Sequence, residues 1–179
     1  MISSKIASLE ARIARLESSL QNKTATSSEW EDPNYLIMHI QEFASDHVSP
    51  AWMKKWWTKE VPASMKNNFS VAVEMMKTYP SMLQYFSESI QNNVKLGKWM
   101  TSSVYGKPAN FKYLGEELKN DYGFVLYLLK RLPRKDHDKI LSFAGNGLKA
   151  EMARIENLPY RQQEEEKEDA LNRIQALLR

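Results

Sequence analysis

Lys130-Arg131-Leu132-Pro133-Arg134-Lys135 sets four cations within six residues, at a junction between two helical segments. The free backbone amides that open the next helix would add to their pull on an anion. Lys95, Lys98, Lys107 and Lys112 extend the charge around the preceding loop, interleaved with Trp99, Tyr105, Phe111 and Tyr113. Rings that alternate with cations suit single-stranded nucleic acid, because bases stack on the rings and phosphates pair with the cations. A plainer reading fits as well: the lysines keep a loop soluble, while Lys130 and Arg131 answer the C-terminal dipole of their helix. The net charge of +3 is unevenly spread. Residues 46–135 carry +7, between two ends of −2 each, so an anionic partner is expected for the middle.

Catalytic chemistry finds little to work with. His39 and Glu42 are three apart on a helix, enough for two metal ligands, but no second pair has matching spacing. In Asp136-His137-Asp138 the neighbours point apart on a helix, and the carboxylates suit a helix N-terminus. The Ala144-Gly145-Asn146-Gly147 segment lacks the length and the Lys-Ser/Thr ending of a phosphate loop. No Ser stands in a Gly-x-Ser-x-Gly elbow. Without cysteine there is no thiolate nucleophile and no sulfur zinc site. The expectation is a non-enzyme without cofactor or metal.

Trp52, Met53, Trp56 and Trp57 share one helical face, and Lys54, Lys55 and Lys59 lie opposite. Such a helix serves as a core element, a membrane-surface helix or a stacking platform. Segregation of rings from lysines favours the core.

The elements that must carry these groups are all helical. Asp32-Pro33 and Ser49-Pro50 are cap-and-proline starts, and Pro62 limits the second helix. A third is expected over about 63–78, with Phe69, Val73 and Met76 on one face. A fourth follows Pro80, with Leu83, Phe86, Ile90 and Val94 at three- and four-residue spacing. Residues 101–110 read as a loop. A fifth helix runs from about Phe111 to Arg131, with an interruption near Asp121-Tyr122-Gly123. A sixth covers about 134–143 and is stopped by Gly145-Asn146-Gly147, after which helical spacing resumes over 148–157. Beyond Leu158-Pro159 an acidic first turn (Glu164, Glu165, Glu166, Glu168, Asp169) leads into the stripe Leu171, Ile174, Leu178. That stripe suits docking on another chain and closing its own bundle equally well. No segment alternates with the period of a strand. The fold class is all-α.

Ahead of this domain, Ile2, Ile6, Leu9, Ile13, Leu16 and Leu20 are spaced 4, 3, 4, 3, 4, the period of a coiled-coil seam. Lys5 and Arg12 fall at g, and Glu10 and Glu17 at e, so a parallel assembly pairs them between chains. Ile at a with Leu at d favours two strands. Arg12-Ile13-Ala14-Arg15-Leu16-Glu17 instead fits an Arg-h-x-x-h-Glu trimer pattern (h apolar), and the reading leans to a homotrimer over a homodimer. Packing of this helix on its own domain is the bland alternative.

The expected organisation is a coiled coil over 1–22, a flexible linker over 23–31, a helical domain with a basic middle over 32–158, and an amphipathic helix over 159–179. No leader peptide is visible, and Phe124 to Leu129 is far too short to span a bilayer. A cytoplasmic chain is expected, or a virion one if viral. The function expected is a homo-oligomeric scaffold for protein–protein interaction. Viral and phage structural proteins share such architecture by analogy alone. Nucleic-acid binding through the basic middle is the alternative, and a membrane partner is disfavoured.

Overall fold

The structure, a computed structural model, describes residues 29–102 and 106–179. The heptad seam, with Ile2, Ile6, Leu9, Glu10, Arg12, Ile13, Leu16, Glu17 and Leu20, lies outside the described residues, as do positions 23–28 and Tyr105. Every regular element among the described residues is helical, and the chain is all-α. No described helix is long and apolar enough to cross a membrane.

Helices α1 (Pro33–Ser45) and α2 (Pro50–Glu60) start where proline and an acceptor side chain coincide. Asp32 accepts from Asn34 N at 2.9 Å and Ser49 from Trp52 N at 3.3 Å. Between them His47 takes a left-handed φ of 53°, and Val48 N closes the end of α1 on Phe43 O at 3.0 Å. In the turn Glu29–Glu31, Trp30 packs its ring on those of Tyr35, His39 and Trp56.

The next helix is shorter than its hydrophobic pattern suggests. A 3-10 turn, Met65–Asn67, comes first, and Asn68 then caps α3 (Phe69–Thr78). Its buried face is Val71, Ala72, Met75 and Met76, whereas Phe69 is exposed and Val73 half-buried. Of the expected face, Met76 is buried and Val73 packs half-buried against the core, while Phe69, the first residue after the Asn68 cap, is corrected to an exposed position.

The expected fourth helix is three elements: a 3-10 turn at Pro80–Tyr85, α4 (Glu88–Gln91) capped by Ser87, and α5 (Val94–Ser102). The fifth also divides, into a 3-10 turn at Pro108–Tyr113, α6 (Glu116–Asn120) and α7 (Tyr122–Arg131). The sixth becomes a turn at Arg134–Asp136 and α8 (His137–Ser142). Gly145-Asn146-Gly147 opens α9 (Asn146–Glu156) as well as ending what precedes it. Finally α10 (Tyr160–Leu177) lies on α7, with Ile174 fully buried and Leu171 and Leu178 packed against the core.

A repeat organises the middle of the chain. Residues 79–92 (YPSMLQYFSESIQN) align without a gap on 107–120 (KPANFKYLGEELKN). Pro80, Tyr85, Glu88 and Asn92 match Pro108, Tyr113, Glu116 and Asn120. The helices ahead of them match too. Asn68 caps at Val71 N (3.1 Å), Asn93 at Leu96 N (3.1 Å) and Asp121 at Phe124 N (2.8 Å). Buried positions keep step: Val71, Ala72 and Met75 correspond to Leu96, Gly97 and Met100, and to Phe124, Val125 and Leu128. The third unit carries extra residues before Gly145, which then takes the place of Gly115 and Ser87.

The units are joined by one device used twice. Asn92 Oδ1 accepts the amide of Leu118, and Asn120 Oδ1 that of Leu148, both at 3.2 Å. Gly115 and Gly145 make room, since a Cβ at either would overlap the asparagine side chain. Stacked units of this kind each bury an apolar face on their neighbours.

Candidate polyanion-binding surface

The eight cations singled out from sequence fall on elements of the second and third units. Lys95 and Lys98 are on α5, Lys107 and Lys112 flank or lie in the turn Pro108–Tyr113, Lys130 and Arg131 end α7, and Arg134 and Lys135 open the next turn. Both α7 and the turn Pro108–Tyr113 pack on α5, and α8 packs on that same turn. These carriers form one contiguous part of the molecule.

Tyr127 draws two of them together. Its buried ring has the Arg131 guanidinium 4.6 Å from its centroid and Lys98 Nζ 6.0 Å from it. Lys112 Nζ lies 4.8 Å from the Tyr113 ring in the same manner. Arg131 and Lys130 also occupy the last turn of α7, where cations oppose the helix dipole.

Among the described residues, most cations near the C-terminus have carboxylate partners. Lys139 pairs with Asp136, Arg154 with Glu151 and Glu166, Arg161 with Glu165, Lys167 with Glu164, and Arg173 with Asp121. No described carboxylate forms an ion pair with Lys95, Lys107, Lys112, Arg131, Arg134 or Lys135, and all six are exposed. Lys130 is set apart from this group. Glu164 is held below the usual carboxylate range first by its hydrogen bond from Lys167, and the charge of Lys130 adds a smaller pull. Lys130 thus answers the acidic stretch of α10, which is not its first turn as expected: the helix starts at Tyr160, so Glu164 to Asp169 lie beyond the first turn.

The remaining candidates form no catalytic constellation. His39 is buried among the rings of Trp30, Tyr35 and Phe43, with Nδ1 2.9 Å from Glu42 Oε2. No group of three or more metal-ligating side chains occurs among the described residues. His137 Nε2 sits 3.0 Å from Leu132 O, and neighbouring Asp136 bonds Lys139 at 2.8 Å. Met53, Trp56 and Trp57 are core residues and Trp52 is half-buried, while Lys54, Lys55 and Lys59 are exposed. An apolar recess of about 210 Å³ between α7, α9 and α10 has Lys167 at its edge, already paired with Glu164.

Sequence reasoning set Lys54 opposite the tryptophans and missed its relation to Tyr85, from whose ring its Nζ lies 5.1 Å. The signal was present: aligning residues 79–92 on 107–120 puts Tyr85 on Tyr113, the ring under Lys112. No family model, curated protein or solved structure matches the chain.

Proposed function

We propose that the chain is a non-enzymatic, homo-oligomeric interaction protein, in which a short coiled coil gathers copies of a repeat-built all-α domain. The observation that carries this reading is the succession of equivalent units, since repeat domains offer one surface position over and over to an extended partner. Gathering copies makes a weak contact strong through effective concentration, without any new contact. A structural role in a viral or phage particle, or in a cellular scaffold, is where such a device is useful. Sedimentation equilibrium tests the assembly. The full chain should sediment as a trimer, and Leu9→Asp with Leu16→Asp should leave a folded monomer. A native chain that is monomeric at every concentration would overturn the proposal.

A second reading names the partner as single-stranded nucleic acid. Its support is the set of exposed cations left without carboxylates in the middle of the chain, beside a region where such pairs are the rule. Cations that bind phosphate release counterions, so affinity should fall steeply with salt. Arg131, Arg134, Lys107 and Lys112 changed together to Ala should remove most of it. Unchanged binding in that variant would reject the site.

A further inference from the structure

Each repeat unit places one aromatic ring two residues before its cap. Tyr85 precedes Ser87, Tyr113 precedes Gly115, and Phe143 precedes Gly145. The three carriers are stacked in order. The turn Pro80–Tyr85 packs on the turn Pro108–Tyr113, which packs on α8, and Phe143 is the C-terminal cap residue of α8. The rings stand at the edge of the core rather than inside it, Tyr85 and Tyr113 packing against it and Phe143 lying outside it. Tyr85 and Tyr113 are half-buried, and Phe143 is 41% exposed although it has no polar atom to hydrate. Phe86, Leu114 and Ala144, one position later in each unit, are the buried ones. The alternation makes the outer, incompletely buried ring a property of the unit rather than an accident at one site.

The first two rings have a solvent-exposed ammonium over them, Lys54 on Tyr85 and Lys112 on Tyr113. A ring reached by an exposed ammonium turns part of its face outward. A flat ligand group can replace the ammonium there, because a base stacked on an aromatic ring gains more than an exposed cation over it. The displaced lysine, on its flexible stem, is then beside whatever anion the ligand carries.

We propose that Tyr85, Tyr113 and Phe143 form a row of stacking platforms, one per repeat unit, for bases of a single nucleic-acid strand whose phosphates meet Lys54 and Lys112. This rests on the nucleic-acid reading above and adds the part of the ligand that the cations do not sense. Charge complementarity selects this occupant over a neutral polymer such as a polysaccharide, which would use the rings and ignore the lysines.

The test is anisotropy of a labelled thymidine homopolymer bound to the full chain, with inorganic polyphosphate as a base-free competitor. Each lost platform should weaken oligonucleotide binding about tenfold. Phe143→Ala, at an exposed position, should show one such step with an unchanged melting temperature. Tyr85→Leu with Tyr113→Leu should add further loss, and Tyr113→Trp, which keeps a platform, should bind as tightly as the native chain or more so. Polyphosphate affinity should be the same in all of them. Full oligonucleotide affinity in folded Phe143→Ala and in Tyr85→Leu with Tyr113→Leu would overturn the row while leaving the phosphate site standing. Equal loss toward polyphosphate would overturn it too, since the rings would then act only through the fold. Failure of the native chain to bind either probe at low salt would overturn the nucleic-acid reading and the row with it, as would tighter binding of a neutral polysaccharide.

Discussion

Asn92 closes the first turn of a helix to which it does not belong, its Oδ1 accepting the amide of Leu118 at 3.2 Å. Helix α6 begins at a glycine that has no side chain to cap it, so the acceptor comes from the end of the preceding unit. Asn92→Ala should cost about 1 kcal/mol, the usual worth of a cap. Gly115→Ala should cost more, about 1–3 kcal/mol, because its methyl would displace the same asparagine within packed surroundings. Urea unfolding of the two variants measures both. Equal and negligible losses would mean that the junction between units does not contribute to stability.

Helix α10 is held to α7 by a close backbone approach as well as by charge. A Cβ on Gly123 would stand 2.6 Å from Ala170 O, while Arg173 bonds Asp121 Oδ1 at 2.8 Å on the surface. Exposed ion pairs contribute at most about 1 kcal/mol. Gly123→Ala, which forces the two helices apart, should therefore destabilise by more than Arg173→Ala, by about 1–3 kcal/mol. Thermal melts of the pair decide it, and the reverse order would mean that charge, not packing, docks α10.

Trp56 and Trp57 are both buried but differ in what their indole nitrogens do. Trp57 Nε1 donates to Tyr85 O at 3.2 Å, whereas Trp56 Nε1 is buried with no hydrogen-bond partner. Both changes to Phe leave a cavity. Trp57→Phe additionally orphans a carbonyl, at a cost of about 1–3 kcal/mol, while Trp56→Phe removes a donor that is already unsatisfied. Chemical denaturation should find Trp57→Phe the less stable of the two. Because the lost bond ends on Tyr85, that variant should also disturb the first ring of the row.

Acid should weaken the fold at the edge of the basic surface. Asp136 is held below the usual carboxylate range first by its hydrogen bond from Lys139; burial opposes this, and the charges of Lys139, Lys135 and His137 each add a lesser pull downward. A carboxylate lowered by folding stabilises above its unfolded value of about 4, and that stability is lost as pH falls through the folded value. Asp136→Asn should lower the neutral plateau by a constant amount, flatten the acid limb of a stability–pH profile below about pH 4, and leave the slope in the neutral region unchanged. A profile identical to that of the native chain would show that Asp136 contributes nothing to acid sensitivity.

The sequence announces some of this architecture directly. Asp32-Pro33 and Ser49-Pro50 mark true helix starts, the Trp56–Trp57 face is core, and the interruption foreseen near Asp121 is the cap of α7. The breaks around Ser87 and Asn93 were hidden because 3-10 turns bury residues at a three-residue period that blends into the helical one. Leu83, Phe86 and Ile90 are all buried as one stripe would be, yet Leu83 lies in a turn, Phe86 caps it and Ile90 belongs to α4. The repeat was hidden by extra residues near 103–105 and before Gly145, which put its units out of step. For the same reason Phe143 looks unrelated to Tyr85 and Tyr113 in the sequence, although it holds the corresponding place two residues before Gly145.

One measurement bears most directly on the account, in which gathered copies make a weak repeated contact strong. A labelled single-stranded oligonucleotide is titrated at low and moderate salt with the full chain and with its Leu9→Asp, Leu16→Asp variant. The account predicts salt-sensitive binding by the native chain and affinity lower by about a hundredfold or more in the variant. Equal affinity of the two would contradict the role of the seam, and absence of binding at low salt would contradict the nucleic-acid partner.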